Sequence, residues 1–266
     1  MKNRIILFIS LISLIFIFYF SLPNKEAKVV FCDVGQGDAI LATYKNVQML
    51  IDTGPDNKKV LECLSKHIPF WDKTIEVVVL THGDSDHIGA LNSLLGSYKI
   101  NKFFANGSFD TSIEQNIYSQ KIGQNDVIST NMFDFEVVNP PKNKEINEDN
   151  INSVAGYLIY KGSVEWKAFL SADIDKETEQ KLVWQKILRQ AQDGNGIDVL
   201  KVAHHGSENG TSEELLDFLK PKIAVISVGK NNRFDHPRKE VIERLDKRNI
   251  EIKRTDFDGE IVFKLN

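Results

Sequence analysis

The sequence has little cysteine and no excess of positive charge. Cys32 and Cys63 are the two cysteines in 266 residues. Because Cys32 lies in a strand-like run and Cys63 in a helix-like one, we predict buried free thiols, with a disulfide as the alternative. The formal charge is −4, so no global basic field recruits nucleic acid. Any binding of nucleic acid must therefore depend on a local basic patch.

The composition is otherwise that of a globular protein with ample length for a core, at 42% hydrophobic and 26% charged residues. The first 24 residues differ from the rest. Lys2 and Arg4 precede an apolar run, Ile5 to Leu22, whose length is close to that of a membrane span. No small-x-small cleavage pattern follows this run, so we predict a membrane anchor over residues 1–24, with a cleaved signal peptide as the alternative. We predict one globular domain over residues 25–266, outside the cytoplasm.

From Lys28 onward, short β-branched runs and segments of helical period alternate. The predicted strands are Val29–Cys32, Ala39–Tyr44, Val47–Ile51, Glu76–Leu80, Ile100–Phe104, two within Asn125–Val138, Val154–Tyr160, Trp166–Leu170, Ile197–Ala203, Ile223–Val228, Ile250–Lys253 and Glu260–Leu265. The predicted helices are Val60–Ile68, one from Ile88 to Leu95, Ser112–Lys121, Lys176–Leu188, Ser212–Leu219 and Arg238–Lys247. The pattern indicates a mixed α/β fold.

A polar loop with four potential metal ligands follows the strand Glu76–Leu80. It contains His82, Asp84, Asp86 and His87. Side chains at the carboxyl ends of strands in layered α/β folds project into a common crevice. Two imidazoles and two carboxylates there would lose solvation and repel one another unless a cation neutralised them. The loop therefore predicts a divalent metal site, with a solvated polar turn as the alternative.

Two more strand ends carry residues of the same kind. Asp52 and Asp173 each follow a predicted strand, and Asp52 is a candidate for orienting a histidine ligand. His204 and His205 stand next to each other at a third strand end. As core residues each would need a buried partner, whereas a metal ion and a phosphate group would supply both. The three clusters together favour the metal site.

Six motifs occur in a characteristic order: Asp-Val-Gly-Gln-Gly-Asp (33–38), Ile-Asp-Thr-Gly (51–54), Thr-His-Gly-Asp-Ser-Asp-His (81–87), Ala-Asp (172–173), Ala-His-His-Gly-Ser (203–207) and His-Pro (236–237). This set resembles the metallo-β-lactamase superfamily and, more narrowly, the hydrolase domain of the ComEC competence proteins. The resemblance covers nearly all of residues 29–266 and implies a four-layer αββα sandwich with a metal site at one edge, here preceded by an N-terminal hydrophobic helix. The sequence departs from the superfamily pattern at three places: Asp84 stands where a second histidine is usual, Asn152 and Ser153 replace a further histidine, and Ala172 replaces a glycine. The membrane channel region of ComEC proteins has no counterpart in this sequence.

The resemblance implies two metal positions that share Asp173. Their ligands would be His82, Asp84 and Asp173 in the first, and Asp86, His87, Asp173 and His205 in the second. Oxygen ligands in place of imidazoles favour harder cations. We therefore expect two divalent ions, Mn²⁺ or Zn²⁺, with Mg²⁺ as a further option.

The same resemblance implies a phosphodiester substrate. Two ions roughly 3.5–4 Å apart would activate a water, and Asp86 or Asp52 would hold or accept its proton. His204 and His236 would hydrogen-bond the transition-state oxygens or protonate the leaving alkoxide. The candidate phosphate contacts are Arg233, Ser207 and Lys201; for the two cations the alternative is a solvated surface charge.

The leading hypothesis is a metal-dependent phosphodiesterase, an extracytoplasmic DNase whose partners are DNA, the membrane and a DNA-uptake machinery. The stretch from Lys230 to Arg254 is basic in balance, although its one notable aromatic, Phe234, does not predict a base-stacking platform. One alternative is hydrolysis of a cell-envelope phosphodiester, such as a phosphorylcholine ester. Another is a non-catalytic DNA-binding or assembly module. The His-His-Gly-Ser motif disfavours a β-lactamase.

Overall fold

A computed structural model of the protein describes residues 2–20, 26–55, 58–106, 119–142, 152–184 and 196–265. Within these ranges the strands are β1 Ala27–Phe31, β2 Ile40–Tyr44, β3 Val47–Ile51, β4 Thr74–Leu80, β5 Lys99–Ala105, β6 Ser119–Lys121, β7 Val127–Ser129, β8 Phe133–Asn139, β9 Ala155–Tyr160, β10 Trp166–Leu170, β11 Val199–Lys201, β12 Ile223–Ile226, β13 Glu251–Arg254 and β14 Ile261–Leu265. The helices are α1 Lys2–Phe20, α2 Lys59–His67, α3 Ser85–Ile88, α4 Leu91–Leu95, α5 Lys176–Trp184, α6 Glu213–Leu219, α7 Lys239–Asp246 and α8 Thr255–Asp258, with a 3-10 turn at Ala203–Gly206.

The described strands form two seven-stranded sheets. The first has the order β14-β1-β2-β3-β4-β5-β6 and the second β13-β12-β11-β10-β9-β8-β7. One apolar core lies between the sheets, a second lies between the first sheet and helices α2 and α4, and a third lies between the second sheet and helices α5 to α7. The layers are therefore helix, sheet, sheet and helix. The predicted mixed α/β architecture with two sheets is confirmed.

The central strands are buried on both faces, which explains their continuous apolar runs. In β9 all six residues are buried. Leu158 and Tyr160 point into the core between the sheets, whereas Tyr157 and Ile159 pack under the helices. A polar side chain in such a strand must find a partner inside the protein, because neither face reaches water.

Parallel pairing brings the polar loops to one edge. Strand β3 pairs in parallel with β4, and β11 pairs in parallel with both β10 and β12. The carboxyl ends of parallel strands meet at the same edge of a sheet. The loops that follow β3, β4, β10, β11 and β12 therefore lie together.

Most predicted elements are present, and three differ. The predicted helix 112–121 lies outside the described residues up to 118, and Ser119–Lys121 is strand β6. The helix expected after β4 is divided into α3 and α4. Helix α8 was not predicted, because four residues are too few to show a helical period.

The N-terminal segment forms helix α1, Lys2–Phe20, and its side chains from Arg4 to Ile12 are exposed. Within the residues that the structure describes, no helix is both long and apolar enough to cross a membrane. The predicted membrane anchor is not supported.

The prediction of free thiols is wrong, because Cys32 and Cys63 form a disulfide. Cys32 follows β1, and Cys63 lies on α2, which packs on the outer face of the first sheet. This packing sets their Cα atoms 5.9 Å apart, a distance typical of disulfides. A cross-link over 31 residues stabilises a fold by about 3–4 kcal/mol in the chain-entropy account.

Candidate metal centre

The centre is built from strand-end loops of both sheets. The loop and helix α3 after β4 contribute His82 and His87, the turn after β10 contributes Asp173, and the 3-10 turn after β11 contributes His205. All four side chains are at most 2% exposed. Each of these last two turns contains left-handed backbone, with φ 48° at Ala172 and φ 54° at His205. These reversals, which cost L-residues energy, direct the side chains toward the other sheet.

Imidazole nitrogens and carboxylate oxygens converge around Asp173. Its Oδ1 lies 3.4 Å from His87 Nε2, and its Oδ2 lies 3.8 Å from both His82 Nε2 and His205 Nε2. Asp84 Oδ2 is 3.5 Å from His82 Nε2, and Asp86 Oδ2 is 3.3 Å from His205 Nε2. Asp173 therefore stands between a His82–Asp84 pair and a group of His87, His205 and Asp86, the two sets that the sequence predicts.

Several of these buried atoms have no hydrogen bond within the described part of the chain. They are the Nε2 atoms of His82, His87 and His205, and Oδ1 of Asp173. An unsatisfied buried polar atom costs about 1–3 kcal/mol, and four of them in one place need a common partner. Imidazole and carboxylate are ligands of divalent metal ions. The cluster fits such an ion, and the ligand assignment remains a prediction.

A hydrogen-bonded support fixes the His87 ring from behind. Its Nδ1 is 2.7 Å from Asp52 Oδ2, and the other Asp52 oxygen accepts from the Thr81 backbone N–H at 2.8 Å. Thr81 Oγ1 also donates to Asp52 Oδ2 at 2.8 Å. Asp52 is 1% exposed, so it acts on His87 and not on solvent. This arrangement keeps the proton on Nδ1 and leaves Nε2 for a metal.

Replacing Asp52 with Asn is expected to weaken metal binding by about 10–100-fold, the usual loss when a ligand's supporting carboxylate is changed. The fold should persist, because an amide oxygen still accepts from Thr81. Calorimetric titration with Mn²⁺ or Zn²⁺ measures the effect. Asp72→Asn is the matched control, since Asp72 is also a nearly buried carboxylate that accepts from a backbone N–H, that of Thr74. Equal affinity in wild type and Asp52→Asn would contradict the proposed support.

Asp38 and Lys201 form a buried ion pair beneath the centre. Both are at most 2% exposed, and Lys201 Nζ pairs directly with Asp38 Oδ2. Lys201 also lies 3.8 Å from Asp173 Oδ1 and donates to Ala172 O at 3.3 Å. The ligand atoms of Asp38, His87, Asp173 and His205 lie within 4.8 Å of one another. Asp38 approaches the histidines at Nδ1, however, and Lys201 already neutralises it, so we place it behind the ligands.

The Asp33–Asp38 loop fits tightly against the metal loop at Gly37. Gly37 has φ 139°, and a Cβ there would come within 2.2 Å of Asp86 O. The Asp38 N–H donates to the same carbonyl at 3.2 Å. Glycine is required at this contact because any side chain would push the Asp86 backbone away. The motif thus serves to place Asp38 beneath the centre.

Four side chains form a row on the open side of the centre. His204, 37% exposed at its side chain, has Nε2 3.7 Å from Asp173 Oδ2. Its ring centroid is 6.0 Å from that of His236, which stacks on Phe234 at 5.7 Å. The guanidinium of Arg233 lies 4.8 Å above the Phe234 ring. Asn232 holds this loop, since its amide accepts from His236 N–H and donates to His236 O.

The pKa of His87, inside the cluster, is shifted in the opposite direction from the pKa values of the two outer histidines, His204 and His236. Burial favours neutral His87, but Asp173 and Asp52 outweigh it and raise the pKa of His87 well above its usual range. Burial, followed by the neighbouring His204, lowers the pKa of His236 to about 4. Burial likewise lowers the pKa of His204. At neutral pH the two outer imidazoles are therefore uncharged.

Metal affinity should fall as pH falls, by about tenfold per pH unit. The reason is that the pKa of His87 lies above its usual range without metal, so the ion must displace one proton. Titration in buffers of different ionisation enthalpy gives the number of protons released. His236→Ala is the control, because a pKa of about 4 leaves His236 neutral in this range. Affinity that is constant with pH would contradict the prediction.

The remaining predicted site residues, Arg233, Lys201 and Ser207, differ in their exposure to solvent. Arg233 is exposed on the rim, whereas Lys201 is fully buried, so the alternative of a solvated surface charge is wrong for Lys201 and it lies beneath the centre. Ser207 is 9% exposed and accepts from the Asn209 N–H. Asp38 and Ser227 are functional residues that were not predicted from the sequence; the Ser227 carbonyl accepts from His205 Nδ1 at 2.9 Å. The Asp33–Asp38 motif could have indicated a role for Asp38, whereas no sequence pattern identifies a backbone carbonyl such as that of Ser227.

The two sheets and the His/Asp cluster define a metal-dependent hydrolase fold, and comparison with known proteins agrees. Residues 32–105 match the family model described as the metallo-beta-lactamase superfamily. Over these residues the chain is therefore similar to the metallo-β-lactamase superfamily, and along most of its length it is similar to competence-related proteins.

Two relatives and one solved structure illustrate the similarity. ComE operon protein 3 of Bacillus subtilis is 30% identical over 281 residues, covering 93% of this chain and 34% of the relative. Competence protein ComA of Neisseria gonorrhoeae is 28% identical, covering 92% of this chain and 33% of the relative. The metallo-β-lactamase fold protein YhfI from Bacillus subtilis shares the fold, with a TM-score of 0.55, 15% identity, and coverage of 91% of this chain and 100% of YhfI. The chain spans about a third of the length of the two competence-related relatives.

Proposed function

We propose that the chain is a metal-dependent phosphodiesterase that cleaves DNA outside the cytoplasm. The observation that carries this proposal is the row from Asp173 outward through His204 and His236 to Phe234. It joins the cluster of potential metal ligands around Asp173 to two hydrogen-bond donors, His204 and His236, and to the exposed ring of Phe234. A phosphodiester with a base beside it presents matching groups in the same order.

The chemistry divides between the metal cluster and the outer histidines. Two divalent ions, Mn²⁺ or Zn²⁺, held by the two sets around Asp173 would supply an activated water and neutralise phosphoryl charge. His204 and His236, being neutral, donate hydrogen bonds to phosphoryl oxygens rather than full protons. Asp86, whose side chain is 28% exposed beside His205, is positioned to hold the attacking water by accepting its hydrogen bond. Asp52 is too deeply buried to share this task.

Phe234 and Arg233 favour a nucleic acid over other phosphodiesters. The Phe234 ring is 41% exposed, with His236 stacked on one face and the exposed Arg233 guanidinium 4.8 Å above the ring. A base would stack on Phe234 once this flexible guanidinium turns away from the ring toward a phosphate. Base stacking on an aromatic ring contributes about 1–3 kcal/mol per base, and Arg adds attraction for phosphate. A stacking platform was not predictable from the sequence, because the stacking of His236 on Phe234 exists only in the folded loop. The competence-related names of the relatives are consistent with a DNA substrate and a DNA-uptake partner.

The disulfide supports the proposed location. Bonded cysteines persist in oxidising compartments and are rare in the cytosol. The Cys32–Cys63 bond therefore favours action on DNA at the cell exterior or in the envelope. Detection of the bond in protein isolated from cells under thiol-trapping conditions would test this part of the proposal.

The test of the proposed function uses the full chain stripped of metal. It is assayed on single- and double-stranded DNA and on bis-p-nitrophenyl phosphate, with Mn²⁺, Zn²⁺ or Mg²⁺ added, beside a His87→Ala, Asp173→Ala double variant. Cleavage of DNA with one metal, absent in the double variant, is expected. Hydrolysis of the small ester alone would exclude DNA as the substrate and favour an envelope phosphodiester. Retained metal without turnover of any substrate would overturn the catalytic proposal.

Replacing Phe234 with Ala should lower kcat/KM for DNA about tenfold, since one stacked base is lost. The same variant should cleave an oligonucleotide of abasic sites as well as the wild type does. Phe257→Ala is the matched control, because Phe257 is exposed and has an Arg254 guanidinium over its ring at 4.2 Å, far along the chain from the His204–His236 row. An equal loss on abasic and normal DNA would show that Phe234 positions the loop and does not stack a base.

A further inference from the structure

A second group of potential metal ligands lies apart from the His/Asp centre. Cys63, His67 and Glu260 each place one ligand atom within 4.8 Å of the others. Cys63 is bonded to Cys32, which adds a fourth donor once that bond is open. The proposed function uses none of these residues.

The fold brings the four donors together from three segments. Cys63 and His67 lie four residues apart on α2, one helical turn, so both side chains project from the same face. Cys32 directly follows β1 and Glu260 directly precedes β14; these strands pair with Phe31 opposite Ile261. Cys32 and Glu260 are therefore neighbours beneath the helix. The arrangement links helix α2 to both strands.

The His67 ring provides an independent sign of a ligand. Its side chain is 9% exposed, yet within the described residues Nε2 has no hydrogen-bond partner. Glu260 Oε1 lies 3.4 Å from Nε2, where it would form an ion pair with a protonated imidazole, but it makes no hydrogen bond with the ring. A buried imidazole nitrogen that makes no hydrogen bond and lies near a carboxylate and a cysteine sulfur is typical of a metal site without its ion.

We propose that the reduced protein binds one Zn²⁺ ion through Cys32, Cys63, His67 and Glu260. A dithiol reductant supplies two electrons and two protons, the Sγ–Sγ bond breaks, and two thiols form while the reductant becomes a disulfide. Binding of Zn²⁺ then releases both thiol protons to solvent. Two thiolates, an imidazole and a carboxylate fill all four tetrahedral positions, which is typical of a structural site.

Distance and charge both suit this ion. Bond lengths of about 2.0–2.3 Å place tetrahedral zinc ligands about 3.5 Å apart. The ligand atoms of Cys63, His67 and Glu260 lie within 4.8 Å of one another and must approach by roughly 1 Å, whereas the sulfurs of Cys32 and Cys63, bonded to each other in the oxidised protein, must move apart. Opening the S–S bond frees the side-chain torsions that allow this movement. The site would carry one net negative charge, and Lys66 Nζ lies 3.0 Å from Glu260 Oε2 to offset it. Thiolate ligands select Zn²⁺ over the harder ions suited to the oxygen-rich centre.

The site would replace one cross-link by another. In the oxidised protein the disulfide joins β1 to α2, and in the reduced protein zinc would join the same two segments and add β14. Cys32 immediately precedes the Asp33–Asp38 loop. The position of this loop would therefore be held in either redox state.

The experiment uses Co²⁺ as a probe, because a thiolate bound to Co²⁺ gives a charge-transfer band in the near ultraviolet. The His/Asp centre contains no sulfur and gives no such band, so failure of this proposal is distinguishable from failure of the proposed function. The full chain is reduced with dithiothreitol, freed of reductant and metal without oxygen, checked for two free thiols, and titrated. We expect the band to rise with added Co²⁺ to the intensity of one thiolate-bound ion per chain, Zn²⁺ to abolish it, and the oxidised protein to show none.

Variants separate a built site from accidental binding by thiols. His67→Ala and Glu260→Gln should each weaken the Co²⁺ affinity of the band by at least about 10-fold, the loss that even a supporting residue causes. Ser65→Ala, an exposed change on the same helix, should leave it unchanged. Cys63→Ser should abolish the band; if that variant does not fold, the His67→Ala chain, which keeps both cysteines, decides the matter. Absence of the band in reduced protein, or an unchanged affinity in both His67→Ala and Glu260→Gln, would overturn the proposal.

Discussion

Replacing Asp173 with Asn is expected to lower the rate of the proposed phosphodiester hydrolysis by about 10³-fold, because several kcal/mol of charge stabilisation are lost. The carboxylate of Asp173 is the group that faces His82, His87 and His205 at once, so it joins the two proposed ligand sets. An amide keeps the shape but removes the charge and one acceptor oxygen. The variant should also bind fewer metal ions per chain.

The measurement pairs elemental analysis of bound metal with hydrolysis rates at saturating metal. Asp175→Asn is the matched control: it is the same change two residues further on, where the carboxylate accepts from the Thr178 N–H at the start of α5. That variant should keep both metal and rate. Full metal content together with full activity in Asp173→Asn would exclude Asp173 as the shared ligand.

Replacing Lys201 with Met is expected to reduce the free energy of unfolding by about 3–5 kcal/mol, the usual cost of leaving a buried charge without its partner. Lys201 is fully buried, and its ammonium faces Asp38 and Asp173. Methionine fills a similar volume but offers no charge. Two buried carboxylates, those of Asp38 and Asp173, would then remain close together without the ammonium that neutralises them. Urea unfolding of metal-free protein measures the loss.

Two further variants show whether charge is responsible. Lys222→Met is the surface control; Lys222 is 68% exposed and pairs with Asp198, so its loss should be at most about 1 kcal/mol. Adding Asp38→Asn to Lys201→Met should restore part of the stability, because the uncompensated carboxylate is removed. A double variant no more stable than Lys201→Met would indicate that packing, and not charge, governs this position.

The sequence predicts most of the fold because strands that are covered on both sheet faces appear in it as uninterrupted apolar runs. Val77 to Leu80 and Leu158 to Tyr160 are apolar without interruption, and they form buried strands. The strand-end residues of the centre are predictable for the same reason, since a polar residue directly after such a strand must lie at the sheet edge. The motif order then indicates the superfamily.

Features that depend on tertiary packing were not predictable. The burial of Lys201 follows from the position of β11 between β10 and β12, where the side chain does not reach solvent. The sequence contained one sign of this burial, because Lys201 stands alone between the apolar residues Leu200 and Val202. The pairing of Cys32 with Cys63 depends on how α2 packs on the first sheet. The stacking of Phe234 on His236 depends on the hydrogen bonds of Asn232, which no periodicity reveals.

The position of β14 sets an order of events during synthesis. Strand β1, near the start of the domain, has β2 on one side and β14, at the end of the chain, on the other. While the ribosome is still adding residues, β1 therefore exposes an open edge of backbone donors and acceptors until residue 265 has emerged. An unpaired edge invites association with other chains. The growing polypeptide would be vulnerable to aggregation, and in need of a chaperone, in the interval before β14 is made.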